Sequence, residues 1–291
     1  MAESLIDLIK VLRDRTGAGL MDCKGALLAN NCDLDKATDW LREKGLAKAA
    51  KKADRIAAEG LALTVKCEGC GKVVILEVNC ETDFVAKGDA FREFVTSIAK
   101  VILKNEPKDV EEAKSLTSEL FADATVKMGE KFDLRRFAIV HKEEDNVIGS
   151  YIHMGGKIAV VVSLSGGDDE VAKQVAMHIA ANNPQYLTVN DVPADVREHE
   201  MNVQKEAAKN DEKLANKPAQ VLEKILEGKI NKYFAEMTLE AQPFLMDDSK
   251  TVGQFLSEKG IKVLGFVRYQ VGEGLEKRKD DFASEVMSQA K

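Results

Sequence analysis

Cys67 and Cys70, in "KCEGCGK", have the first spacing in this sequence that could do chemistry. Two thiolates three residues apart can supply half of a tetrahedral zinc site or form a redox pair. The rest of a zinc site needs two more ligands at short spacing. Only Cys80 lies near, and Cys23 and Cys32 fall in a helical N-terminal stretch. Gly69 and Gly71 make the motif read first as a tight hairpin turn, with metal or redox chemistry as the alternative. "YIHMGGKIAV" holds the Gly-Lys of a phosphate-binding loop. However, Tyr151 stands where that loop's first glycine belongs and Ile158 where its Ser or Thr belongs, so no nucleotide site is expected. His141, His153, His178 and His199 are scattered, without an HExxH pair, and no nucleophile elbow occurs. His178 reads as a hydrogen-bonded, part-buried residue and His153 as an exposed one in a turn. These observations point to a binding protein rather than an enzyme, with no cofactor and no metal.

One more stretch stands out. "NCETDFVAKGDAF", residues 79–91, follows a strand-like run and sets the acid Asp83 beside the aromatic Phe84. Such a ring either folds back into its own core or finds a pocket elsewhere. Two segments echo one another around it. "GKVVILEV" and "GGKIAVVVSL", aligned at Lys72 and Lys157, each follow a strand and precede a helix, "DAFREFVTSIAKVI" and "DEVAKQVAMHIAAN". The second copy makes its strand-to-helix connection through "SGGD", whereas the first inserts "NCETDFVAKG". A connection longer than its structural task is where function tends to sit.

The elements that must position this stretch follow from hydrophobic period. Residues 1–45 read as three short helices. Ser4 caps the first, with Leu5, Ile6, Ile9 and Leu12 on one face. Leu20, Lys24, Leu27 and Leu28 mark the second; Asp33 caps a third bearing Leu34, Ala37, Trp40 and Leu41. An Ala- and Lys-rich linker helix extends to about residue 60. From residue 61 the period becomes two, and "LALTVK", "KVVILEV", "IGSYIH", "KIAVVVSL" and "KVLGFVRYQV" read as strands. Residues 191–237 depart from this pattern and read as an inserted antiparallel helical hairpin, with Val196, Val203 and Ala207 on one arm and Val221, Ile225 and Phe234 along the other. Pro218 starts the second arm, and the tail can form one more helix bearing Phe282 and Val286. The expected class is α+β. Its parts are a three-helix head with linker (1–55), a first core subdomain (56–141), a second (142–190 and 234–275), the hairpin (191–233) and a C-terminal module (276–291).

The chain has 291 residues, 45% hydrophobic and 31% charged, enough for two or three compact units. A net charge of -7 argues against direct nucleic-acid binding, which relies on clustered Lys and Arg. Lys44, Lys48, Lys51, Lys52 and Arg55 form a local basic segment that reads as a solvated helix end. No run approaches the ~18 apolar residues of a membrane span. "MAESLIDLIK" reads as an amphipathic helix rather than a signal or transit peptide. With five cysteines, an odd number, the expectation is a reducing, cytoplasmic setting.

"LRDRTGAGLMDCKGAL" (12–27), "VNCETDFVAK" (78–87), "GSYIHMGGKIAVVV" (149–162), "AMHIAA" (176–181) and "SKTVGQFL" (249–256) closely resemble the bacterial elongation factor Ts family, in order along the chain. The resemblance implies a ubiquitin-associated-like head, two related α/β core halves with antiparallel sheets, a coiled-coil hairpin through which two copies dimerise, and a C-terminal module. It implies guanine-nucleotide exchange on elongation factor Tu. In this family the matching Asp-Phe reaches the partner GTPase, and the ring wedges near its magnesium and phosphate site. Asp83 and Phe84 are the matching positions, flanked by Thr82 and Val85. Leu20 and Met21, with Arg13 and Lys24 alongside, resemble head contacts, and His153 matches a core histidine that touches the partner. Two features depart from the pattern: the cysteine pair, where the family needs only a tight turn, and Leu20, where Met is also common. The rival class is an adaptor whose head binds another helix or peptide, but it leaves "TDFVAK" unexplained.

Overall fold

The structure is a computed structural model that describes residues 4–143, 145–211 and 218–276. The expected C-terminal helix and most of the bend between the hairpin arms lie outside those residues. The chain is α+β and divides into two compact units: 1–141 with 152–159 and 269–291, and 142–151 with 160–268.

The first unit opens with α1 (Leu5–Thr16), α2 (Leu20–Ala29) and α3 (Leu34–Lys51). The expected linker helix does not reach residue 60: α3 absorbs its start and ends at Lys51, and residues 52–55 turn instead, with the Ala53 and Arg55 carbonyls taken by Lys131 Nζ. Ser4 caps α1 by accepting the Asp7 N–H, and Asp33 accepts the N–H groups of Asp35 and Lys36 ahead of α3. Ile9, Leu12, Cys23, Ala26, Leu27, Ala37 and Leu41 form the buried core. The expected stripes are partly displaced, because Ile6, Leu20 and Leu28 face solvent. Leu5, Leu8, Ile9 and Leu12 make the α1 face instead. The basic segment is paired more than expected: Lys44 and Lys48 meet Asp22, Lys52 donates to the Gly129 carbonyl, and Arg55 meets Glu81.

Next come β1 (Glu59–Lys66), β2 (Lys72–Cys80), the one-turn helix α4 (Asp83–Ala86), α5 (Asp89–Asn105), α6 (Val110–Met128) and β3 (Phe132–His141). The strands form an antiparallel sheet in the order β1-β2-β3, with Glu59 opposite Cys80 and Lys72 opposite His141. On α5, Phe91, Phe94, Val95, Ile98, Ala99 and Ile102 recur at helical spacing and pack onto Leu61, Leu63, Val74, Leu76, Val78 and Leu134. Phe91 lies 5.6 Å from Phe132, and Phe94 meets Phe121 edge-on at 5.1 Å. Strand β3 is absent from the sequence reading. Its charges hide the alternation, yet Arg135 and Arg136 reach the fully buried Glu77 of β2 at 3.1 and 2.6 Å. Asn79 Nδ2 and the Gly272 N–H also donate to Glu77, so the buried carboxylate is satisfied.

A second sheet has the order β4 (Val147–His153), β5 (Ile158–Leu164), β8 (Val263–Gln270). In the second unit, Asp168 caps α7 (Asp169–Asn182). Gly149 allows close approach of strand and helix, since a Cβ there would sit 2.5 Å from the Ala172 carbonyl. His178 is fully buried and hydrogen-bonded to Gln242. Helices α8 (Ala194–Lys209) and α9 (Ala219–Met237) make the expected arms, with a shifted register. Val203, Ala207 and Val221 are exposed, whereas Ala208, Leu226, Ile230 and Phe234 are buried. A small β6–β7 hairpin (Pro243–Phe244 and Asp247–Thr251) and the short α10 (Val252–Ser257) precede β8.

Candidate functional site

Thr82 starts the site. Its side chain accepts the Val85 N–H at 3.3 Å, which converts the expected loop into helix α4. Behind it, Glu130 accepts the backbone N–H groups of Glu81 and Thr82 at 3.0 and 3.1 Å and the Thr82 hydroxyl at 2.5 Å. Glu81 in turn accepts the Lys131 N–H at 2.7 Å and pairs with Arg55 at 3.1 Å. Lys131 Nζ donates to the carbonyls of Ala53 and Arg55. Three chain segments therefore lock the base of α4. At its far end Ala86 is buried and Val85 packs on the same core.

Held between those anchors, Phe84 is 89% exposed. The ring is not part of its own core. Asp83 bonds Lys87 at 2.5 Å, one helical turn on, and that hydrogen bond and charge hold its carboxyl below the ordinary range, with Lys157 adding to the effect. Lys157 belongs to the turn after β4, which the Arg92 guanidinium clasps by donating to the Gly155 carbonyl at 3.0 Å. His153 is near that turn but does not lie in it. It closes β4, half-buried, and its carbonyl accepts the N–H groups of Gly156 and Lys157. The turn itself begins at Met154, whose φ is 49°.

The head residues are anchored separately. Leu20 and Met21, 53% and 72% exposed, occupy the first turn of α2, and Arg13 and Lys24 are also exposed. Asp22 fixes that turn to α3 through Lys48 at 3.1 Å and Lys44 at 3.5 Å. Burial raises the Asp22 pKa, but the two lysines outweigh it and hold the carboxyl below its usual range.

Glu130, Glu81, Arg55 and Lys131 were not foreseen. Glu130 reaches Thr82 across 48 residues, a pairing that no local pattern marks. Among the described residues, no three His, Cys, Asp or Glu side chains gather so as to hold a metal ion. The "KCEGCGK" stretch does form the expected hairpin turn, and within it Cys67 and Cys70 are joined by a disulfide.

The site is thus a set of presented side chains: an aromatic on a braced one-turn helix, a charged pair beside it, and a two-residue apolar step on the head. A family described as Elongation factor TS matches residues 81–273. The chain is 47% identical, over 292 residues and 98% of both chains, to the Elongation factor Ts of Pediococcus pentosaceus. Matching over nearly its full length, head and braced aromatic included, the chain belongs to the elongation factor Ts family.

Proposed function

We propose that this chain is a guanine-nucleotide exchange factor that binds elongation factor Tu and speeds GDP release, so that GTP can rebind during translation elongation. The observation that carries this reading is Phe84, presented to solvent by a helix fixed at both ends. Burying one such ring supplies roughly 1.5–3 kcal/mol, which remains available for a partner. In this reading Phe84 enters near the magnesium and phosphate site of the GTPase, with Thr82, Asp83 and Val85 around it and His153 as a further contact. Leu20, Met21, Arg13 and Lys24 grip through a ubiquitin-associated-like head. The reaction is exchange by binding alone, needing no catalytic residue or cofactor of this chain, no direct nucleic-acid contact and no membrane. Its setting is the cytoplasm.

The working parts are the head and linker (1–55), the core halves (56–141; 142–190 with 234–275), the hairpin (191–233) and the C-terminal module (276–291). The hairpin is the surface through which two copies pair, and its exposed Val203 and Val221 support that role. The physics is linkage: factor and nucleotide each weaken the other's hold on the GTPase, reciprocally. Each ~1.4 kcal/mol of coupling is tenfold in affinity, so one ring cannot account for many decades and the other contacts must hold the GTPase.

Stopped-flow release of a fluorescent GDP from purified elongation factor Tu tests the reading. The chain should accelerate release strongly. Phe84→Ala should lower that acceleration by about 10- to 100-fold with an unchanged melting temperature. Acceleration insensitive to Phe84 would remove the wedge and keep the activity. No acceleration at saturating protein would overturn the function and leave the adaptor.

A further inference from the structure

The β1–β2 hairpin ends in Cys67-Glu68-Gly69-Cys70-Gly71, a turn that neither the braced aromatic nor the head uses. We propose that Cys67 and Cys70 form a reversible dithiol–disulfide site whose reaction partner is a low-molecular-weight disulfide.

The backbone brings the two sulfurs together without help from the bond. Eight residue pairs, from Glu59 opposite Cys80 to Lys66 opposite Val73, zip the hairpin, and the Cys67 N–H donates to the Lys72 carbonyl at 2.8 Å. Gly69 and Gly71 take φ values of 89° and 64°, a left-handed region that other residues enter at a cost. The reversal leaves the two Cα atoms 5.6 Å apart, within the span that a disulfide bridges. Only Glu68 and Gly69 lie inside the loop that the bond closes. Constraint of the unfolded chain grows with loop length, so this bond adds little to the fold, and opening it removes little. Glu68, Gly69 and Cys70 are exposed, and a Cβ added at Gly69 would meet nothing within 4 Å. An incoming disulfide therefore has a clear approach.

The chemistry is thiol–disulfide exchange. The exposed Cys70 thiolate attacks one sulfur of the small disulfide and releases the first thiol. Cys67, half-buried behind it, attacks the Cys70 sulfur of the mixed disulfide and releases the second. Two cysteine thiols give up two electrons and two protons, and one small disulfide becomes two thiols. The remaining cysteines are poorly placed to compete. Burial pushes the Cys80 thiol up to about 12 and raises that of Cys23, and Cys32 is free and exposed, outside the turn. The turn and Thr82 sit at opposite ends of β2, on the order of 30 Å of strand, so exchange on the GTPase is untouched by its redox state.

The test uses the full-length chain, reduced and then held at graded ratios of oxidised to reduced glutathione, with free thiols trapped by alkylation and read by peptide mass spectrometry. The expected result is loss of alkylation at Cys67 and Cys70 together, with no lasting glutathione adduct on either, and full recovery on returning to reduced glutathione. Cys67→Ser should stop at a glutathione adduct on Cys70. Cys70→Ser should give no closure. The proposal is overturned if the pair stays reduced at ratios that already modify Cys32, if it never reopens, or if the reduced chain retains zinc at the pair. GDP-release rates of the oxidised and reduced forms separate this outcome from that of the exchange reading, because the two should be equal.

Discussion

Among the described residues His178 has no charged partner, and its surroundings choose its proton. Gln242 Nε2 is committed to the Glu236 carbonyl at 2.7 Å, so Gln242 Oε1 faces His178 Nε2 at 2.9 Å and requires a donor there. Nδ1 is then the acceptor, facing both the Leu245 N–H and the Asn182 amide, each at 3.1 Å. A second ring proton would point at that N–H. Burial, opposed only by the Gln242 bond, pushes the pKa below the ordinary 6.5. As pH falls, the unfolded chain takes up this proton first. The stability from the neutral ring is therefore complete above pH ~6.5 and is lost as pH falls through the lower folded-state value. His178→Gln should lower stability by about 1–3 kcal/mol at pH 7.5, and its deficit against the parent chain should shrink by pH 5.5. Urea midpoints at both pH values check this, and a deficit constant across the range would refute it. A buried, hydrogen-bonded His178 was legible from its apolar helix. Its partners Gln242 and Leu245 were not, because they lie 64 and 67 residues away.

At the scale of elements, legibility followed how local the physics is. Ser4 and Asp33 announce helix starts because a cap acts within three residues. The echoed hairpin-then-helix segments appeared because strand period and turn glycines are written in sequence order. Strand β3 was hidden because the partner of Arg135 and Arg136 is the buried Glu77, on another strand. The hairpin arms show the same limit: many heptad-like registers fit a charged amphipathic pair, and only the packed partner decides that Ala208 rather than Ala207 turns inward. Helix α4 is the telling case. Its residues stand out in the sequence as a candidate site, but the bracing by Glu130 does not. Glu130→Ala removes the acceptor for two backbone N–H groups and a hydroxyl, about 1 kcal/mol at this partly exposed position. The expected outcome is faster hydrogen exchange at Glu81 and Thr82 and a several-fold slower GDP release with Phe84 intact. Unchanged protection of the 79–91 peptide would mean that the α4 base holds without Glu130.

For the whole first unit, the knot of Arg55, Glu81, Glu130 and Lys131 ties the segment leaving the head to the base of α4. Head and aromatic are thus two exposed features of one frame, built on separate cores. Their parts in exchange should differ in kind. Met21 is 72% exposed on the first turn of α2; on the proposed function it would touch the GTPase equally before and during release and so supply uniform binding. On the same proposal Phe84 would act where nucleotide leaves, so that its contact would matter most in the transition state. Met21→Ser should therefore raise the concentration giving half-maximal GDP release while leaving the saturated rate near that of the parent. Phe84→Ala should lower the saturated rate. The double variant should show both changes, combining within about 0.5 kcal/mol, as residues built on separate cores do when neither alters the other. A Met21→Ser variant that instead lowers the saturated rate as Phe84→Ala does would show that the head takes part in distorting the GTPase, with the knot transmitting its load to α4.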